Sequence, residues 1–521
     1  MKTVRDATFD VLRRLDLTTI FSNPGSTEVP LLAGLPDDLT FVLALHEGSV
    51  VAMAAGHALG RGAPALALLH SMPGLGNAVA ALATARLNRA PLVVVVGQQD
   101  RRHLTLDPFL AGQLDGLAGA YPVHTAHPAR AQDVPGAIVR AYHEAVTARG
   151  PALVIVPMGD WAEPAPEPHE ITGPQRIVRS SAADPVAIDD LAALLDDALN
   201  PAIVAGASAG WEGLTELAER LGCPVFQEPF GGQAGFPQDH PQFAGHVPAR
   251  RARVRELLKP HDLVLVVGTG ALRQYPYEPG PLVHPTTLLA VITQDPEEAH
   301  RSPVELAVLG DPDATCAALA NAVPPREPHV TPFPRPAPLE PAEPLRAGHV
   351  LQALADRLPG DAILLEETPS SRPELHARIP ARAPLGFLSA MGMLGFALPA
   401  AIGLRMATDR PVVAVVGDGS SLYQIQALWT AAAYEAGVLF LVLRNGGYAI
   451  MDRLAERAGA PGPWPAIEPV DIAAMARAQG VEARRIDTHD ELIAALDTEL
   501  TARTTPLLLE IVVAQDATFD P

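Results

Sequence analysis

Short apolar runs alternate with longer alanine-rich stretches of helical spacing, and the pattern recurs three times along the chain. The first third holds the runs Thr40 to Leu45, Ala65 to Leu69, Leu92 to Val96 and Ala152 to Val156. The middle holds Ala202 to Ala205, Leu263 to Val267 and Thr287 to Ile292. The last third holds Ala362 to Leu365, Val412 to Val416, Val438 to Leu443 and Leu507 to Ile511. Apolar runs without polar alternation belong to strands covered on both faces, and strands separated by helices imply right-handed crossovers and parallel pairing. The expected fold class is α/β, with three doubly wound parallel-sheet domains.

Two proline-rich stretches, Trp161 to Gln175 and Val323 to Pro344, punctuate this pattern. Proline at that density continues neither helices nor central strands, so both are expected to be extended surface connectors. They leave domains at 1–165, 180–323 and 345–521.

The stretch Pro411 to Tyr448 carries the clearest chemistry. The run Val412 to Val416 leads into Gly-Asp-Gly-Ser, a segment of helical pattern from Leu422 to Tyr434, and the run Val438 to Leu443. This reads as a βαβ unit that places Asp418 and Asn445 just beyond the carboxyl ends of two parallel strands, where open sheets hold their ligands. One carboxylate, one amide oxygen and a backbone carbonyl near Gly447 suit Mg²⁺ shared with a phosphate. Gly417 and Gly419 allow close backbone approach, and Ser420 can donate to the phosphate. Gly-Asp-Gly alone also occurs in ordinary strand-to-helix turns; Asn445 at the end of the next strand is what shifts the balance.

In the first third, three residues stand near strand ends. Glu47 opens an apolar helix after FVLALH, where it either complements the helix dipole or exchanges a proton with a ligand from a partly buried position. His70 ends the strand before a flexible Gly74-Leu75-Gly76-Asn77 turn, as a hydrogen-bonded structural imidazole or as a catalytic one. Ser26 in FSNPGSTEVP either caps a helix beginning near Thr27 or offers its hydroxyl at the same rim.

Composition narrows the class further. Of the 521 residues 48% are hydrophobic, and the net charge of −21 argues against binding nucleic acid or an anionic membrane surface. The two cysteines, Cys223 and Cys316, suggest neither a disulfide framework nor a structural zinc. The opening MKTVRDATFDVLRRLDL reads as an amphipathic helix rather than a signal peptide, and no apolar run is long enough for a bilayer; a soluble cytoplasmic protein is expected.

GDGS with Arg444-Asn445-Gly446-Gly447-Tyr448 resembles the diphosphate and magnesium motif of thiamine-diphosphate enzymes, with Arg444 in place of the family's first asparagine and the metal-binding asparagine kept as Asn445. Together with FSNPGSTEVPLL, LALHEGSVVAMAAGHAL, LLHSMPGLGNA, LGFALPAAIG and ALWTAA, the chain resembles benzoylformate decarboxylases within the decarboxylase and carboligase superfamily over nearly its whole length. The resemblance implies a pyrimidine-binding first domain, a central domain and a diphosphate-binding third domain, with thiamine diphosphate and Mg²⁺ as cofactors. It implies at least a homodimer, since each site draws on two subunits, and tetramers are common in the family.

By the same resemblance, Glu47 protonates the pyrimidine N1′ and so promotes the imino form that removes the thiazolium C2 proton. Ser26 meets the substrate carboxylate and His70 transfers protons. The carbonyl of Gly392 accepts from the 4′-amino group, Leu394 bends the cofactor, and Glu367, Pro369 and Ser370 line the pocket. Cofactor contacts fall on Ser370, Gly417, Asp418, Gly419, Ser420, Asn445, Gly447 and Tyr448, and the metal ligands on Asp418, Asn445 and Gly447. The implied reaction is non-oxidative decarboxylation of a benzoylformate-like 2-oxo acid to an aldehyde; the alternatives are carboligation and a degenerate nucleotide-binding protein.

Several positions depart from the family. Tyr275 stands where a second catalytic histidine is usual, and an unperturbed phenol with a pKa of about 10 cannot replace imidazole as a relay at neutral pH. Ile450, Leu454 and Leu388 stand at substrate-pocket positions where the family carries smaller or aromatic residues. With fewer rings to meet a phenyl group, the pocket is expected to let an aliphatic 2-oxo acid compete with benzoylformate. VAGASAG (Val204 to Gly210) and VVGTGAL (Val266 to Leu272) in the middle third are nucleotide-like, but neither is a full dinucleotide fingerprint.

Overall fold

The computed structural model describes residues 1–515 except 175, 179, 180, 182, 183 and 391. Gln175 and Ser180, which bound the first predicted connector and the middle domain, lie outside the described residues, as does Met391 in the predicted pocket stretch.

Three six-stranded sheets, parallel throughout, follow one another along the chain. The first runs Thr40–Leu43, Thr19–Ser22, Ala65–Leu69, Leu92–Gln98, Pro151–Pro157, His124–Ala126. In the second the order is Leu306–Leu309, Leu288–Thr293, Leu263–Val267, Pro201–Ala205, Val225–Gln227, Phe243–His246. The third reads Phe387–Ser389, Ile363–Glu367, Val412–Gly417, Val438–Arg444, Leu507–Val512, Glu482–Ile486. Every predicted run is a strand, and the sheets add seven that the apolar pattern did not show.

In each sheet the opening strands wind one way and the next strand starts on the other side of the first, opening a crevice between two neighbouring strands at their carboxyl ends. In the first sheet the crevice lies between Ser22 and Leu69, and in the third between Glu367 and Gly417.

The first and third domains share one apolar core, joined where the helix Glu47–Arg61 crosses the helix Ala397–Ala407. Backbone meets backbone at that crossing: a Cβ on Gly56 would sit 1.9 Å from the Ala400 carbonyl oxygen, and one on Gly403 1.8 Å from that of Met53. Polar bonds fix the same interface, with the Leu43 amide donating to the Tyr434 hydroxyl at 2.9 Å and Thr430 donating to the Leu43 carbonyl at 2.9 Å.

Two local expectations are corrected. The helical segment from Leu422 to Tyr434 is two helices, Asp418–Leu422 and Ala427–Ala433. Between them Tyr423 turns outward while buried Gln424 accepts from the Ser49 hydroxyl of the first domain, a tertiary contact that local propensity does not encode. The turn expected at Gly74–Asn77 is part of the helix Ser71–Leu87. Of the connectors, 323–344 has no regular structure, as expected, but Arg335 within it donates to the Gln238 and Ala377 carbonyls and ties the middle domain to the third.

Candidate active site

Polar side chains gather at the crevice of the first sheet. Glu47, first residue of its helix, is buried, and its two carboxylate oxygens accept from the Asn23 amide at 3.1 Å and the Asn77 amide at 2.9 Å. Asn23 follows the strand Thr19–Ser22 directly, and Asn77 lies one and a half helical turns into Ser71–Leu87. Gly74 lies between the two side chains, where a Cβ would be 3.4 Å from both Glu47 Cγ and His70 Cβ.

His70 Nδ1 lies 2.9 Å from Glu28 Oε2 and 2.9 Å from the Thr27 hydroxyl. Glu28 is wholly buried, and a Cβ on Gly97 would overlap its Oε1 at 1.9 Å. Ser26 is exposed at this rim; the short helix Val29–Leu32 has no side-chain cap, so the capping role considered for Ser26 is not used.

The crevice of the third sheet opens into a cavity of about 500 Å³. One end is polar. Buried Asp418 accepts from the amides of Gly419 at 2.8 Å and Gly446 at 2.7 Å, and Asn445 Oδ1 accepts from the Gly447 amide at 3.1 Å. Burial pushes the Asp418 carboxyl above the usual aspartate range, against the pull of those amides. A carboxylate raised by desolvation in a cavity that carries no lysine or arginine is suited to a cation. Gly417 lines the cavity, and an added Cβ there would lie 3.7 Å from the Ser420 hydroxyl. Ser370 accepts from the Ile450 amide at 3.1 Å, tying the strand end at Glu367 to the helix Ala449–Arg457.

Most of the predicted cofactor contacts line this cavity: Ser370, Leu394, Gly417, Asp418, Gly419, Ser420, Asn445, Gly447 and Tyr448. Of the predicted substrate positions, Tyr275, Ile450 and Leu454 also line it. Leu388 does not: it is buried in the core beneath the third sheet, on the edge strand that pairs with Ile363–Glu367. Gly392 stands off the wall with a φ of 101°, a conformation that favours glycine. Glu367 points away into the protein, where it accepts from the Gly395 and Ala397 amides at the start of the helix Ala397–Ala407; burial raises it to about 8. Ser26, Glu47 and His70 are not on the cavity wall of their own chain.

Sequence reasoning missed Glu28, although it lies within the FSNPGSTEVP stretch. It also missed Asn23 and Asn77, the two donors to Glu47, and Trp464, which stands on the cavity wall. The nucleotide-like loops of the middle domain close on themselves: a Cβ on Gly268 would sit 2.1 Å from the Ala209 amide, and one on Gly235 2.0 Å from the Gly206 carbonyl oxygen. Their glycines serve backbone packing at the place where a nucleotide would rest. Among the described residues no group of three or more His, Cys, Asp or Glu side chains is placed to hold a metal, which leaves a single-carboxylate oxygen site at Asp418 as the candidate. Among the described residues no helix is long and apolar enough to cross a membrane.

Three family models match successive stretches of the chain. The model of the thiamine pyrophosphate enzyme N-terminal TPP binding domain matches residues 2–118, that of the central domain 188–319, and that of the C-terminal TPP binding domain 372–511. The chain belongs to the thiamine-diphosphate enzymes. It is 38% identical to a benzoylformate decarboxylase of Pseudomonas aeruginosa, over 98% of this chain and 99% of that protein. Among solved structures, the 4-hydroxybenzoylformate decarboxylase of Rhodococcus jostii superposes with a TM-score of 0.93 at 33% identity, over 99% of this chain and 100% of the other. The benzoylformate decarboxylase of Polynucleobacter necessarius gives 0.94 at 32% identity, over the full length of both.

Proposed function

We propose that this protein is a thiamine-diphosphate- and Mg²⁺-dependent 2-oxo acid decarboxylase that converts a benzoylformate-like substrate with an uncharged side chain to an aldehyde and CO2. The observation that carries this is the separation of two half-sites: oxygen donors of Asp418 and Asn445 at one crevice, and the buried Glu47 beside the His70–Glu28 pair at another. Thiamine diphosphate, when bound, supplies the thiazolium that accepts the electron pair left by departing CO2.

The protein's own groups hold and move protons. Glu47 donates to the pyrimidine ring from a position fixed by Asn23 and Asn77; His70, held through Nδ1, delivers a proton to the reacting carbon; Ser26 binds the substrate carboxylate. Asp418, Asn445 and the Gly447 carbonyl hold Mg²⁺ against the diphosphate. Because the residues of the first half-site are absent from the cavity wall of their own chain, a second copy completes each site, and the enzyme is at least a homodimer, assembled as a tetramer in the cytoplasm.

Product analysis with one 2-oxo acid, with and without added aldehyde, tests the reading. Aldehyde as the main product is expected. Acyloin as the main product would assign the site to carboligation instead, and full turnover by a stable monomer would overturn the two-subunit site.

A further inference from the structure

The cavity has an apolar end, and its least expected component is an indole. Trp464 belongs to the loop after the helix Ala449–Arg457 and joins Ile450 and Leu454 of that helix on the wall. Its Nε1–H donates to Asp452 Oδ1 at 2.7 Å. The ring also lies against the backbone two residues earlier: a Cβ on Gly462 would come within 2.0–2.3 Å of three indole carbons. A hydrogen bond on one side and a glycine beneath fix the orientation of an aromatic face in a loop whose neighbours Pro463 and Pro465 are exposed.

Charge on the rest of the wall limits what that face meets. Among the described residues lining the cavity there is no lysine, arginine, histidine or glutamate, and its one carboxylate, Asp418, lies at the polar end. On the wall this chain supplies, a dicarboxylic or cationic side chain at the apolar end would be buried without a partner, at a cost that an aryl or alkyl group does not meet. Flat aryl groups gain from an indole face in a way that branched alkyl groups do not.

We propose that Trp464, positioned by Asp452, is the specificity-determining wall that selects an aryl over a branched aliphatic side chain in the 2-oxo acid. This rests on the decarboxylase reading above and goes beyond it by assigning the selection to the indole beside Ile450 and Leu454 rather than to the wall's tyrosines, Tyr275, Tyr423 and Tyr448.

Phenylglyoxylate and 3-methyl-2-oxobutanoate, each given to the full-length holoenzyme, test it. For Trp464→Leu the phenyl-to-alkyl ratio of kcat/KM falls about tenfold, and Trp464→Phe restores most of it. Asp452→Ala, which leaves the indole unanchored, loses the ratio through KM for the phenyl substrate rather than through kcat, and Asp452→Asn, which keeps an acceptor, restores it. Quenching of indole fluorescence by the non-reacting 2-hydroxy analogue weakens in parallel, which reports binding without turnover. A wild-type preference for the alkyl substrate, or a ratio that Trp464→Leu and Trp464→Phe both leave unchanged, would overturn the proposal while leaving the decarboxylase reading in place. Absence of turnover on every 2-oxo acid with cofactor bound would instead overturn that reading.

Discussion

Glu28 and His70 form a carboxylate–imidazole pair closed to solvent on the carboxylate side, with Glu28 Oε2 2.9 Å from His70 Nδ1. The Gly25 amide donates to the same carboxylate oxygen at 2.8 Å, and the contacts to the ring, from Glu28 and Thr27, both fall on Nδ1. The pair therefore fixes which nitrogen faces the crevice. Glu28→Gln keeps the size of the side chain and removes its charge; kcat should fall about tenfold with little change in KM, measured by steady-state kinetics beside a thermal unfolding control. Gly25→Ala should cost more, because its Cβ would lie 2.5 Å from the imidazole ring and displace it.

Glu47 is the second group proposed to handle protons, and that role is separable from cofactor affinity. Asp418 and Asn445, the proposed grip for the diphosphate, lie at a different sheet. Glu47→Gln should lower kcat by about 100-fold or more while thiamine diphosphate still binds. Proton–deuterium exchange at C2 of the bound cofactor, followed by NMR, should slow by a similar factor. Unchanged exchange would remove Glu47 from the mechanism.

Legibility in the sequence followed the length of the unbroken apolar run. Val412 to Val416 and Leu92 to Val96 read as strands because both faces of a central parallel strand are covered, leaving an unbroken apolar run. Glu482–Ile486 and His124–Ala126 did not, because each is an edge strand paired on one side only, with polar residues facing outward. Asp418 and Asn445 were legible from their placement at two strand ends. Trp464 was not, since a tryptophan among Pro461, Pro463 and Pro465 carries no periodic signal and is held on the cavity wall by tertiary contacts, among them its bond to Asp452. Leu388 took a pocket position only from the family resemblance, whereas pairing of its edge strand with Ile363–Glu367 turns it into the core.

Asp418 should be the residue on which cofactor and metal stabilisation depend. A ligand present at about 100 times its dissociation constant stabilises by about 2.7 kcal/mol, seen as a rise in Tm on adding thiamine diphosphate with Mg²⁺. Asp418→Ala should abolish that rise, and chelation of Mg²⁺ should do the same to the wild type. In the cofactor-free state the sign reverses. The folded carboxyl lies above its unfolded value because of burial, so it favours the native state at low pH and disfavours it once ionised; Asp418→Asn should gain on the wild type as pH rises through that range.

His246 and His376 stack with ring centroids 4.1 Å apart and planes 7° from parallel, one from the last strand of the middle sheet and the other from the helix Arg372–Arg378 of the third domain. Both are half-buried, and His376 packs edge-on against Phe387. Burial, with Arg372 nearby, holds His376 down at about 3, and His246 is held well below the ordinary histidine range by burial and by His376 itself. Two depressed histidines bind fewer protons in the folded state than in the unfolded chain. Their contribution is therefore complete above about pH 6.5 and is lost as pH falls toward the folded values, each site costing up to about 1.4 kcal/mol per pH unit. His376→Phe keeps an aromatic ring in the stack and cannot be protonated. Its stability relative to wild type, from urea denaturation, should improve by about 1 kcal/mol between about pH 6.5 and 5.5, whereas a constant difference across that interval would show that the pair does not control how the middle domain holds to the third in acid.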